Sequence, residues 1–543
     1  MDNFDNILGS SPSTHYARNE LCLIERDAPV KKLYLPNVPE DLKKDKLVKH
    51  FINFGRVLSV QIFYKVKQPL TRIGFVLFAK TTAAVRALQN NLHKVNGHEI
   101  KVLAACSWHQ PDIYGASEPL PSWEAQIFML PDDCLLMIME LLPLVDQLYF
   151  QSVCQRFRSV YQLISRIKHK SIDYQILQNL TPCDIREFFH VAGPYFQNFN
   201  GSVMQERIFK GRLVKYFQGN FINLKSLDIS GAILTEENVF NIFSSTNKLE
   251  NLILDHCCLT DESLLALKDL TNLKTLSIAC NRSLSGHNLV MLPISIENLN
   301  LSFCIRIQPS HVIQMCKSLT NLLELNIVGV DPITNYGNFY NNMIEQNPCV
   351  SLQTLGLSTY DQCDGIAKLP NLKNIYIVIV EIPKEVSDTK FFDQLVIFKY
   401  EQLEELKIDE AFHITKQMLL QIAKLTGLKT LSLYKANNID DDVIEAFTNL
   451  KKLENIILQN GNFSDSIIVR LVLGCPKLKE VNLVYCLQIT RKLLDDIVVK
   501  IPIYYKKNER KLPILIFLSD NSYHRCPFMA PAQDIVKIFC YHT

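Results

Sequence analysis

The sequence predicts a multidomain chain of three parts: a small α+β module in split βαβ order, a short all-α module, and a long α/β array of strand–helix repeats. Three observations predict it. Charge is unevenly spread: residues 31–105 hold 14 Lys/Arg against 4 Asp/Glu, a net +10, while the whole chain stands at +2. Residues 127–168 carry apolar side chains at helical spacing around Pro131 and Pro143. Within residues 190–520 the pattern L-x-x-L-x-L, with Ile or Val allowed, keeps returning with a period near 25.

Composition narrows the function classes. The 543 residues would fill several domains of about 100–200 residues, or fewer where one is a repeat array. A formal charge of +2 excludes a wholly basic packaging protein and an acidic disordered chain. The other 468 residues stand at −8, so one short basic module sits on a mildly acidic body. The 16 cysteines are spread along the chain without a CxxC pair, which fits neither a disulfide scaffold nor a zinc site. The start lacks a signal-peptide pattern, and apolar stretches such as Ile375 to Val380 are strand-sized. The expectation is a soluble protein of the cytoplasm or nucleus. Residues 1–30, rich in Asn, Ser and Asp, read as a mobile tail, and residues 106–126, with Pro111, Pro119, Pro121 and Gly115, as a linker.

In the basic module, Lys32–Leu35 is a strand with Leu33 and Leu35 on one face and Tyr34 on the other. Asp41 to Phe54 has helical periodicity. Val57 to Tyr64 alternates Val60 and Ile62 against Gln61 and Phe63, and Lys65 and Lys67 lie in a basic loop. Arg72 to Phe78 turns Gly74, Val76 and Phe78 inward and Ile73, Phe75 and Leu77 outward. A helix over Ala83 to Leu92 and a strand over Glu99 to Leu103, after the Asn96-Gly97 turn, complete the order β-α-β-β-α-β. Tyr34, Phe75 and Phe63 would then present rings on an open face, where single-stranded bases stack at about 1–3 kcal/mol each. Lys32, Lys65, Lys67, Arg72 and Lys101 would meet phosphates around them. His50, His93 and His98 read as surface or phosphate-contacting groups.

Leu33–Val38 and Thr71–Phe78 resemble the two ribonucleoprotein signatures of the RNA recognition motif, over about 75 residues. The resemblance implies a ferredoxin-like α+β fold and single-stranded RNA as a partner. Thr71 stands where the family has Lys or Arg, and Ile73 where it has an aromatic, so one stacking position is lost.

The all-α module opens with Leu130-Pro131-Asp132-Asp133, a proline at a first helical turn followed by acids that suit a helix N-terminus. Leu135, Ile138, Leu142, Leu148, Val153, Cys154 and Phe157 follow at helical spacing, and Pro143 divides the stretch into two or three helices. About forty residues cannot bury so much apolar surface alone, so the module needs a partner. Leu130-Pro131, Ile138, Leu142, Asp146, Val153-Cys154 and Arg156-Phe157 resemble an F-box in register, with Phe157 for the usual Trp and Gln147 for a common Leu. The resemblance implies docking onto the Skp-type adaptor of a cullin–RING ubiquitin ligase through an amphipathic helical surface. The adaptor-binding candidates are Leu130, Pro131, Leu135, Ile138, Leu142, Leu148, Val153, Cys154 and Phe157. A cap for the following array is the alternative role.

Repeat anchors fall at Leu224, Leu249, Leu273, Ile296, Leu322, Leu352, Leu372, Leu403, Leu428, Leu453 and Leu478, with a degenerate unit at Phe196–Phe199. Irregular spacings between Leu322 and Leu403 mark inserted loops. Stacked strand–helix units share one core. The eighth residue after the anchor is small and polar, as at Cys257, Asn281, Cys304 and Cys486, where it would satisfy backbone groups. The units resemble cysteine-containing leucine-rich repeats, which implies an α/β solenoid, or horseshoe. An F-box followed by such repeats resembles the substrate receptors of ubiquitin ligases. Asp255, Asn300, Tyr376, Lys407, Asp409, Tyr434 and Tyr485 would lie on the concave side, and Tyr376, Lys407, Asp409, Tyr434 and Tyr485 are the target-binding candidates. Residues 521–543 read as a polar C-terminal tail.

No GxGxxG, phosphate loop, HExxH or GxSxG occurs. Cys134 and Cys154 read as inert thiols on apolar helix faces. The expectation is a non-enzymatic receptor without catalytic residue, metal or cofactor. It would bind the Skp-type adaptor and cullin complex, a target protein and single-stranded RNA. Two alternatives stand beside it: an RNA-binding scaffold without a ligase role, and an F-box receptor whose N-terminal module binds only protein.

Overall fold

The structure is a computed structural model. It describes residues 16–18, 21–24, 28–65, 71–105, 110, 126–178, 180–202, 213–330, 350–360, 363–379, 389–505, 510–519 and 534–541. The chain forms two units, Met1–Leu249 and Glu250–Thr543.

In the first unit, β1 (Tyr16–Arg18), β2 (Leu21–Ile24) and β3 (Ala28–Pro29) pair antiparallel. A four-stranded sheet follows, built from β4 (Lys32–Val38), β5 (Val57–Lys65), β6 (Thr71–Phe78) and, beyond the hairpin described next, β9 (Leu103–Ala104), in the order β5-β6-β4-β9. Helices α1 (Lys44–Phe51) and α2 (Thr81–Leu88) bury Leu47, Phe51, Ala84 and Ala87 in a core with Leu33, Leu35, Val60, Val76 and Phe78. Alternation along β4 and β6 thus sends one set of side chains toward the helices.

The predicted last strand differs. β7 (Leu92–Val95) and β8 (His98–Lys101) form a separate hairpin, and only β9 joins the sheet, against β4. The reason is the turn. Asn96 at φ 52° and Gly97 at φ 88° provide two successive left-handed residues, which suit a tight hairpin.

Helices α3 (Asp132–Leu141), α4 (Leu144–Val153) and α5 (Gln155–Lys168) follow. Pro131 and Pro143 stand at the N-caps of α3 and α4, and the Cys154 thiolate-side sulfur Sγ accepts from the Phe157 amide at 3.5 Å to cap α5. Leu135, Met139, Leu148, Phe157 and Ile164 are buried. The Phe157 ring stacks between Phe150, at 4.3 Å and 16°, and Phe128, at 5.3 Å and 19°.

Helix α6 (Pro182–Ala192) begins at a capping box, with the Thr181 amide donating to Asp184 Oδ2 at 2.9 Å. Its Phe188 and Phe189 are fully buried with Phe196, Phe199, Phe217 and Phe221. Three parallel strands close this unit: Ser171–Asp173, Asn198–Asn200 and Ser226–Asp228. The repeats therefore start before residue 190, because Ile172 supplies a buried strand position without the leucine pattern.

The second unit is a run of parallel strands from Asn251–Ile253 to Val536–Tyr541, with helices or turns between them. Register is regular: Leu252, Leu276, Leu299, Leu325, Leu355, Ile375, Leu406, Leu431, Ile456 and Val481 are all buried. Pairings such as Leu276↔Leu299 and Leu406↔Leu431 keep them in one core row. After each strand the chain turns through the left-handed region at the same position of the unit: Gly231, His256, Cys280, Phe303, Gly329, Glu410, Lys435, Asn460 and Tyr485. At Gly329, φ is +66° and an added Cβ would lie 2.6 Å from Phe303 Cδ1, so both backbone and space favour glycine.

The eighth-position residues satisfy backbone carbonyls. Asn281 Nδ2 donates to Leu254 O at 2.9 Å and Ile278 O at 2.8 Å, and its Oδ1 accepts from Leu259 N at 2.9 Å. Cys304 Sγ donates to Ile278 O at 3.1 Å, and Cys486 Sγ to Leu458 O at 3.1 Å. Burial pushes the Cys304 thiol up to about 12 and the Cys486 thiol up to about 11, so both stay protonated. The expected inserted loops fall largely at 331–349 and 380–388, outside the described residues.

The C-terminal tail needs correction. Val536–Tyr541 is a strand parallel to Ile514–Ser519, with Phe539 stacked on Phe517 at 4.9 Å. Its alternating VKIFCY pattern extends the sheet past the polar stretch that precedes it.

Candidate functional sites

The N-terminal sheet turns Tyr34, Ile73 and Phe75 away from the helices, as alternation requires, but does not leave them open. Tyr34 is 5% exposed, Phe75 4% and Ile73 0%, clustered with Ala105. The Tyr34 and Phe75 rings lie 5.4 Å apart, and Lys32 Nζ sits 4.8 Å from the Phe75 centroid. Gln110 fastens the following segment back onto the sheet edge. Its Oε1 accepts from the amides of Lys31 at 2.9 Å and Lys32 at 2.8 Å, while Nε2 donates to Lys32 O and Ala105 O. Phe63, at 42% exposed, is the ring of this face that remains accessible.

The charged candidates divide likewise. Arg72 is spent on backbone: its guanidinium donates to the carbonyls of Pro39 at 3.0 Å, Glu40, and Leu42 at 3.2 Å, which pins the loop between β4 and α1. Lys101 lies on the β7–β8 hairpin, off the main sheet. The side chain of Lys65, and Lys67 entirely, lie outside the described residues. His93 is buried, not on the surface: its Nε2 donates to Ala87 O at 2.8 Å, and its Nδ1 is 2.9 Å from His50 Nε2. Burial, then the neighbouring His93, holds the His50 imidazole below its ordinary value. His98 stands beside Asp41 at 2.8 Å.

In the helical module the nine candidates fall into two groups. Leu135, Leu148 and Phe157 are interior residues that hold the three helices together. Pro131 and Val153 are exposed, while Leu130, Ile138, Leu142 and Cys154 are half-buried. Cys134 is exposed, contrary to the reading of a packed thiol. The largest exposed apolar groups were missed by the pattern: Leu141 at 86%, Met129 at 85% and Met137 at 65%. The signal was present in the periodicity. Leu135 and Met139, four apart, face the core, and the stripe Cys134-Met137-Ile138-Leu141 lies on another face of the same helix.

Arg156 organises the entrance to this surface. It donates to Phe128 O at 2.6 Å and Leu130 O at 2.5 Å, and pairs with Asp132 at 2.7 Å. Lys168 pairs with Glu140 at 3.1 Å, joining α5 to α3. Gln147, where a leucine was expected, turns inward and donates to Leu142 O at 2.8 Å.

On the repeat sheet, Tyr376 and Lys407 are register partners on adjacent strands, as are Val378 and Asp409. Lys407 is paired with Glu405 on its own strand. Burial, then Asp409 and Tyr434, raises the Tyr376 hydroxyl above its usual value. Tyr485 is not a strand residue. It follows the strand Glu480–Asn482 in the left-handed turn, φ +65°, and is 49% exposed. Asp255 and Asn300 are knitted into a network: Asp255 Oδ1 accepts from Ser277 Oγ at 2.6 Å, and Ser277 Oγ from Asn300 Nδ2 at 3.0 Å.

Among the described residues no helix is long and apolar enough to cross a membrane, and no group of three or more His, Cys, Asp or Glu is placed to hold a metal ion.

Comparison with known families agrees with this geometry. Residues 33–101 match the RNA recognition motif, and residues 127–160 match the F-box domain. Among solved structures the chain is similar to an internalin (inlF) from Listeria monocytogenes, at 19% identity over 57% of this chain and 86% of that one, with a TM-score of 0.31. It is also similar to the RRM3 domain of Mip6, at 20% identity over 14% of this chain and 93% of that one, with a TM-score of 0.13. The chain thus carries an RNA recognition motif, an F-box domain and a leucine-rich-repeat-like solenoid whose identity rests on its own strand register.

Proposed function

We propose that this chain is a non-catalytic substrate-recognition subunit of an SCF-type cullin–RING ubiquitin ligase. The F-box docks the Skp-type adaptor, the repeats hold a target protein, and the RNA recognition motif adds an RNA or ribonucleoprotein contact. Rate enhancement then comes from proximity, by presenting a target lysine to the charged ubiquitin carrier.

One observation carries the reading: the apolar stripe Met137-Ile138-Leu141, with Met129 and Val153, stays open to solvent on a packed three-helix body. A helix face of this kind suits a groove on a partner. Burying each large side chain there contributes roughly 1.5–3 kcal/mol.

The test is capture of the purified Skp-type adaptor and cullin by the full chain and by Met137→Asp/Leu141→Asp. The wild type is expected to retain both proteins and the variant neither, with melting temperature unchanged because both positions are exposed. Failure of the wild type to retain the adaptor would sink the proposal. The scaffold reading has less support, since Tyr34 and Phe75 offer little surface for bases to stack on.

A further inference from the structure

The repeat sheet is not uniform along its polar face. Strands Glu324–Asn326, Thr354–Leu357 and Asn374–Val378 are consecutive and parallel, with Asn326 opposite Gly356 and Gly356 opposite Tyr376. Gly356 brings no side chain to the row. Neighbouring strands stand about 4.8 Å apart, so the Asn326 and Tyr376 backbones are about 10 Å apart with a gap between them. An added Cβ at Gly356 would meet Asn326 Oδ1 at 2.7 Å, which shows how close the amide stands to the floor. A cavity of about 340 Å³ opens here, with the Tyr376 ring at one end.

Its chemistry is one-sided. Glu324 is the one formally charged residue that lines the cavity, and it is exposed, with no cationic partner among the described residues. Around it stand hydroxyl and amide groups already oriented by the sheet. Thr354 Oγ1 accepts from Asn374 Nδ2 at 3.0 Å, and Asn326 Oδ1 accepts from Val328 N at 3.1 Å. The site is thus a negatively charged slot with a flat aromatic end. Such a slot repels nucleic-acid phosphates and suits a planar cation. A guanidinium pairs with a carboxylate through a rigid fork and stacks on an aromatic face, whereas an ammonium is a compact, strongly hydrated charge.

We propose that this slot is the specificity pocket of the repeat array and takes an arginine side chain of the target protein, held by Glu324 and stacked on Tyr376. The inference rests on the receptor reading and supplies the chemical class of what the receptor selects.

The test uses full-length chain and pools of random peptides, each pool with one fixed central residue. The arginine pool is expected to be retained about tenfold over the citrulline pool, which keeps the shape and loses the charge. The lysine pool should fall between them. Glu324→Gln, Tyr376→Ala and Gly356→Val should each abolish the arginine preference while adaptor capture persists. Equal retention of arginine and citrulline, equal retention of arginine and lysine, or an arginine preference that survives Glu324→Gln would each overturn the proposal. Loss of adaptor capture by the wild-type chain would instead overturn the receptor reading, so the two failures are distinguishable.

Discussion

The N-terminal sheet and the α3 helix of the F-box each display a motif that reads as a docking surface, yet they present it differently. Tyr34, Ile73 and Phe75 lie on the sheet face expected to meet RNA and are almost completely buried. Met137 and Leu141 lie on a helix face outside the matched pattern and are open. Alternation and helical spacing fix the face on which a side chain lies. They do not fix whether that face is covered. Pattern positions therefore mix two roles, holding a module together and meeting a partner, and exposure separates them.

The comparison can be broken most decisively by stability. Phe75→Ala and Phe157→Ala each remove a buried ring and should cost about 3–5 kcal/mol in their modules, measured by chemical denaturation. A loss near zero at Phe75 would mean that the face is open after all. Phe63→Ala is the converse test: melting should be unchanged, while affinity for a single-stranded RNA oligonucleotide falls by about 1–3 kcal/mol. In the repeats, Gly329→Ala should destabilise by about 1–3 kcal/mol, because φ is +66° and Phe303 blocks the new Cβ.

The smallest expected effect is with pH. Burial, then the charge of Lys168, pushes the His169 imidazole down to about 4 from 6.5. The unfolded chain therefore binds the proton more readily. Stability is full above about pH 6.5 and falls as pH drops toward 4. Replacing His169 with Gln should flatten that fall, as followed by thermal melts across the window.

Much of the architecture was legible in the sequence because it is periodic. The leucine anchors register the buried rows, and the eighth-position side chains satisfy carbonyls as their polarity suggested. The misses share one cause, which is that local pattern does not report what other parts of the chain do. Arg72 looked like a phosphate ligand, but three loop carbonyls claim it. Lys101 left the sheet because Asn96-Gly97 closes a separate hairpin. Phe157 and Leu135 fit the family pattern as core residues, while Leu141 carries the exposed surface without a pattern position. The slot beside Tyr376 was invisible for another reason: it is made by an absence, the missing side chain of Gly356, which matters only when strands far apart in sequence are paired.

The most direct measurement is the dissociation constant of the purified Skp-type adaptor for the full chain, for Leu141→Asp and for Phe63→Ala. Tight binding by the wild type, at least about a hundredfold loss in Leu141→Asp and no change in Phe63→Ala are expected, since burying a charge on an apolar contact costs several kcal/mol. Equal affinity of wild type and Leu141→Asp would contradict the assignment of the exposed α3 stripe as the adaptor-docking surface.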